Sequence, residues 1–153
     1  DICDLKSTLE LRRLGFQSPR VLWARSVEAL VALPAGAHVR APLKPGAYAA
    51  AARKGLAFLA GEQYTVLSRR RQTWGDTILQ CLLIPPRDRL TLSHGAILAA
   101  WRDPGDIRRL ARWYGVESAA ERVIAFVKGG REDGEFLPRA EIREMAKEHG
   151  VSV

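Results

Sequence analysis

Residues 62–84, EQYTVLSRRRQTWGDTILQCLLI, decide how this chain is read. Two β-branched, apolar runs, 62–69 and 76–84, flank a polar stretch. Runs of that kind around turn residues predict a β-hairpin, with its loop from Arg70 to Gly75 and Pro85-Pro86 closing it. The tip would then present Arg69, Arg70, Arg71, Gln72 and Trp74, and only Asp76 is near in sequence to pair with three consecutive arginines. A basic ribbon tip can lie along a phosphate backbone while an indole stacks on an exposed base.

On the N-terminal side the pattern reads as helical. Ile2, Leu5, Leu9 and Leu14 fall near helical spacing and end at Gly15. Ser18-Pro19 resembles an N-cap and first turn, followed by a Trp23, Val27, Leu30, Val31 stripe that Pro34-Ala35-Gly36 ends. Residues 37–44 read as extended. A third helix is expected from Gly46 to Ala60, with Gly55 as an interior cost of roughly 1 kcal/mol. On the C-terminal side Ser93 caps a fourth helix through Trp101, Asp103-Pro104-Gly105 breaks the chain, and 106–149 is helical apart from a connector at 129–135. The expected class is mainly α (α+β): a helical domain with one hairpin near 62–84 and helix-turn-helix-like units in the last third. The expected division is a basic α-rich domain over 1–102 and a helical segment over 103–153.

The last third contains an echo. Residues 107–116, IRRLARWYGV, and 142–151, IREMAKEHGV, match at five of ten positions with an offset of 35 residues. Each copy has a small residue inside a helix (Ala111, Ala146), a glycine four residues on (Gly115, Gly150) and an apolar residue after it (Val116, Val151). That order suits a helix, a turn of positive φ and a residue tucked beneath. Arg108, Arg109 and Arg112 share the first of these helices, with Arg108 and Arg112 on one face.

In a second register, AAERVIAFV at 119–127 and LPRAEIREMAKEHGVS at 137–152 resemble the winged helix-turn-helix of bacterial DNA-binding regulators. There a helix of the AxRVxxFL type precedes LxRxEIAxxxGVS. The resemblance covers about 35 residues and stops before a recognition helix or wing. It implies a DNA-binding fold element or a helix pair that docks protein.

Composition bounds the rest. With 153 residues and 47% apolar content the chain can form a globular core. No apolar run approaches the roughly 20 residues that cross a bilayer, and the charged residues 1–15 do not read as a signal peptide. Cys3 and Cys81 lack ligand spacing, so no disulfide, metal or cofactor is expected and a cytoplasmic location is the default. The net charge of +7 is uneven: residues 1–116 hold 18 Lys/Arg against 9 Asp/Glu, and 117–153 hold 6 against 8. Arginine dominates, and its planar fork fits phosphate.

These features predict a non-catalytic nucleic-acid-binding protein, DNA or RNA, of bacterial, phage or plasmid type. A protein partner or self-association through the C-terminal helices is a further expectation. One alternative is a small structural subunit of an RNA-guided, CRISPR-type assembly. The other is a metal-independent ribonuclease, for which His94, beside Gly95, is the best acid–base candidate among His38, His94 and His149.

Overall fold

A computed structural model of the chain describes residues 20–37, 39, 41–58, 61–129 and 134–153. The helix expected over 2–14, Cys3 and His38 lie outside them. The described residues form four antiparallel strands and six helices, an α+β arrangement. None of these helices is long and apolar enough to cross a membrane. Two compact units meet in sequence between Gln72 and Thr73, whereas the sequence division was drawn at 102/103. The reason is that the helices on both sides of residue 102 share one core.

In the first unit, residues expected to form a helix form strands. β1 (Arg20–Arg25) and β2 (Glu28–Pro34) pair antiparallel through a turn at Ser26, whose φ is 57°. β3 (Leu43–Pro45) and β4 (Glu62–Leu67) complete a sheet of order β1-β2-β4-β3. The correction has a physical cause. β2 is hydrogen-bonded on both edges and covered on both faces, so from Glu28 to Leu33 every residue is buried. Such a strand shows no period of two, and a short apolar run cannot be told from a helix by pattern. Ala29, Val31, Leu33 and Leu43 form a cluster on one face. Leu30 opposite Val66 and Ala32 opposite Tyr64 lie on the other. There Tyr64 meets Tyr48 of α1 (Ala47–Lys54) at 6.0 Å between rings. This helix stops earlier than expected, because Gly55, at φ 115°, is its C-cap and not an interior residue.

The expected hairpin over 62–84 is also corrected. β4 is its first strand, but 74–82 is helical. In α2 (Trp74–Leu82) Thr73 is the N-cap: its hydroxyl accepts from the Asp76 amide, and the Asp76 carboxylate accepts from the Thr73 amide at 2.9 Å. This capping box satisfies two donors that a helix start leaves open. Every residue of α2 from Gly75 to Leu82 is buried, which explains why it reads as an apolar strand.

Around α2 pack α3 (Arg89–Trp101), α4 (Arg108–Tyr114) and α5 (Glu117–Val127), and α6 (Arg139–Glu148) packs against α3. Their core includes Ile78, Leu79, Ile97, Leu98, Ile107 and Ile142, all fully buried. Each such side chain contributes roughly 1.5–3 kcal/mol. Asp88, not Ser93, caps α3, by accepting from the Thr91 amide at 3.1 Å. Ser93 is buried within the helix and ties down the chain just before α6, because its hydroxyl accepts from the Leu137 amide at 3.0 Å.

The 35-residue echo is a repeated way of ending and burying a helix. Gly115 and Gly150 have φ of 70° and 72°. Val116 donates its amide to Ala111 O at 3.0 Å, and Val151 donates to Ala146 O at 2.8 Å. Ile107, Ala111 and Val116 are buried, as are Ile142, Ala146 and Val151 at the equivalent positions.

Candidate nucleic-acid interface

The arginine run lies beyond the end of β4, in a segment with neither helix nor strand. Its conformation is fixed by side chains. Glu28 is buried, and its Oε1 accepts from Ser68 Oγ at 2.8 Å. Arg70 Nε donates to Glu28 Oε2 at 2.9 Å and to Oε1 at 3.1 Å. The Arg70 amide donates to Ser68 Oγ at 3.1 Å. The Arg70 carbonyl accepts from Lys44 Nζ at 3.2 Å and from Gln72 Nε2 at 3.5 Å. Arg70 is thus held by its side chain, its amide and its carbonyl. Arg69 and Arg71, on either side, are exposed.

The sheet register gathers more charge at this end. Arg25 pairs across from Glu28, and Leu43, next to Lys44, pairs across from Leu67. Arg25, Lys44, Arg69, Arg70 and Arg71 therefore fall at the same end of the sheet as one described carboxylate, that of Glu28, which Arg70 contacts. Within the same unit Glu62 accepts from Arg20 at 2.5 Å. Glu28 and Glu62 are the acids of that unit among the described residues, and each already faces an arginine.

The unit boundary also redraws the charge map. Residues 1–72 hold 12 Lys/Arg against 5 Asp/Glu, and residues 73–153 hold 12 against 12. The whole +7 belongs to the first unit.

The remaining site candidates lie in the helical unit. Trp74 is half-buried, and its Nε1 donates to Arg102 O at 2.9 Å and to Leu98 O at 3.3 Å. Its ring meets Trp101 edge-on at 5.6 Å, and the Arg102 guanidinium lies over Trp101 at 4.3 Å. Trp74 therefore closes the end of α3, and the hairpin tip on which it was expected to stack bases does not exist. Arg108 Nε donates to Glu121 at 2.7 Å, and Asp106 is 3.8 Å from the same guanidinium. Arg109 and Arg112 are exposed on α4. α5 turns Ala120, Val123 and Phe126 into the core and exposes Glu117, Ser118 and Glu121, so its outer side carries acid.

Further titratable groups lie within the helical unit. Asp76 is fully buried, and Tyr114 donates its hydroxyl to Asp76 Oδ1 at 2.5 Å while accepting from Gln80 Nε2 at 3.0 Å. His94 is half-buried in α3, and its pKa falls from 6.5 to about 4. Desolvation dominates, His149 adds to it and Asp88 opposes it. Cys81 is a buried free thiol whose pKa burial pushes up. Among the described residues no group of three or more His, Cys, Asp or Glu is placed to hold a metal ion. A groove of about 520 Å³ in the helical unit sets Arg87, Arg89 and Arg122 against Asp88, Glu117 and Glu135, a balance that selects no ligand charge.

Sequence reasoning singled out Arg69, Arg70 and Arg71 but missed Glu28, Ser68 and Lys44. Glu28 is 42 residues from Arg70, and no local pattern signals such a pairing. In comparisons with known proteins, no protein family, no curated protein and no solved structure matches this chain.

Proposed function

We propose that the chain binds nucleic acid without catalysis, through phosphate contacts made by residues 1–72. The observation that carries this reading is the confinement of the entire +7 charge to that unit, where both described carboxylates already face arginines. Phosphate neutralisation by Lys and Arg supplies most non-specific affinity and makes it salt-dependent. Arg69 and Arg71 are the leading contacts, with Arg25 and Lys44 beside them. The neutral helical unit suits docking to protein better than binding to a polyanion, which fits a regulator, an accessory factor or a subunit of a nucleoprotein assembly.

The test is affinity for a labelled 30-nucleotide single strand and its duplex across a salt series. The wild type should bind with a clear salt slope. Arg69→Gln with Arg71→Gln should lower that slope by roughly 1.4–1.8, at about 0.7–0.9 per phosphate contact. Wild-type protein that does not bind either probe at low salt refutes the reading.

A further inference from the structure

We infer that Glu28 is a positioning residue of the phosphate site, acting through Arg70 to hold Arg69 and Arg71 outward. The inference rests on the proposed nucleic-acid binding. Residues 68–72 have no strand or helix ladder to set their path. The connections that hold them run through Glu28 and Ser68, which bind the Arg70 side chain and amide, and through Lys44, which binds its carbonyl. Glu28 is fixed in turn by β2, the strand bonded on both edges. A buried carboxylate that accepts from a hydroxyl and a guanidinium is a rigid anchor, because leaving any of the three unpaired is costly. With Arg70 drawn inward, its two neighbours are left exposed. The central arginine of the run is therefore the fastening, and the outer two are the contacts.

This assignment predicts an effect opposite in sign to that of charge alone. Glu28→Gln removes a negative charge from a basic site. If only net charge mattered, the variant would bind a polyanion more tightly and with a steeper salt slope. If Glu28 positions the site, the variant binds more weakly, because Arg69 and Arg71 lose their fixed placement. Ser68→Ala gives a charge-neutral check, since it removes the hydroxyl that links Glu28 to the Arg70 amide.

The experiment measures affinity of the full chain, wild type and both variants, for the labelled 30-nucleotide single strand at two salt concentrations. Circular dichroism and amide exchange are recorded on the same samples. The expected result is at least threefold weaker binding for both variants, with faster exchange of the Arg70 amide and unchanged helix and sheet content. A folded Glu28→Gln variant that binds as tightly as the wild type or tighter overturns the positioning role. Should Glu28→Gln fail to fold, Ser68→Ala decides: weaker binding supports the role, and unchanged binding overturns it. Wild-type protein that binds no strand refutes the function reading itself, and the positioning role with it.

Discussion

Trp74 shows how much one side chain's reading depends on its surroundings. Beside three arginines it suits a stacking platform, but its indole N–H is given to two carbonyls at the end of α3 and its ring lies against Trp101. Trp74→Ala should cost about 2–4 kcal/mol of stability in the helical unit, a half-buried version of the usual Trp loss. It should leave nucleic-acid affinity close to the wild-type value. Urea unfolding followed by circular dichroism, beside the binding titration, checks both halves. Cys81 gives a second expectation at this scale. Its burial keeps the thiol protonated, so the native chain should leave it unmodified by iodoacetamide while urea exposes it. Peptide mapping by mass spectrometry reads the result. His94 gives a pH dependence with a definite sign. Its pKa in the fold, about 4, lies below the ordinary 6.5, so between these values the unfolded chain binds more protons. Stability is full above about 6.5 and falls as the pH drops toward 4. The loss should be on the order of 1–2 kcal/mol, discounted because the ring is half-buried. Urea midpoints at pH 7.5 and 4.5 should converge in His94→Gln relative to the wild type.

Among the elements, the C-terminal helices were legible because each carries its own punctuation. Asp103-Pro104-Gly105 breaks the chain, and Gly115 and Gly150 supply the left-handed caps. The sheet was harder to read. β2 is buried from Glu28 to Leu33 and so lacks the alternation that marks a half-exposed strand. α2 was misread for a related reason: its polar residues Asp76, Thr77 and Gln80 are buried along with the apolar ones, so it has no solvent-facing side. One local signal was nevertheless present: Thr73-Trp74-Gly75-Asp76 has the spacing of a capping box, and it outweighs the β-branched residues that follow. Thr73→Ala should therefore cost about 1 kcal/mol, within the 0.5–2 range for lost caps. A thermal melt of the variant measures it. As for the site, the arginine run was visible as composition, but the division of labour inside it was not. That division depends on Glu28, which reaches Arg70 only once β2 and β4 are paired.

On the scale of the molecule, one chain joins a unit that holds all the net charge to a unit that holds none. Charge variants should then act unequally. Arg108→Gln, Arg109→Gln and Arg112→Gln combined remove as much charge as a triple change in the first unit. They should nevertheless change the salt slope by less than Arg69→Gln with Arg71→Gln does, because Arg108 is already paired with Glu121. Equal slope losses would move the interface to α4. The aromatic residues are divided just as unevenly. Trp74, Trp101 and Trp113 belong to the helical unit and Trp23 to the sheet, and the Trp74–Trp101 contact couples two of the four chromophores. Indole emission from this protein therefore reports mainly on the helices. A Trp23→Phe variant would make it report on them alone, so that any shift in its spectrum on adding a partner would mark a change within the helical unit.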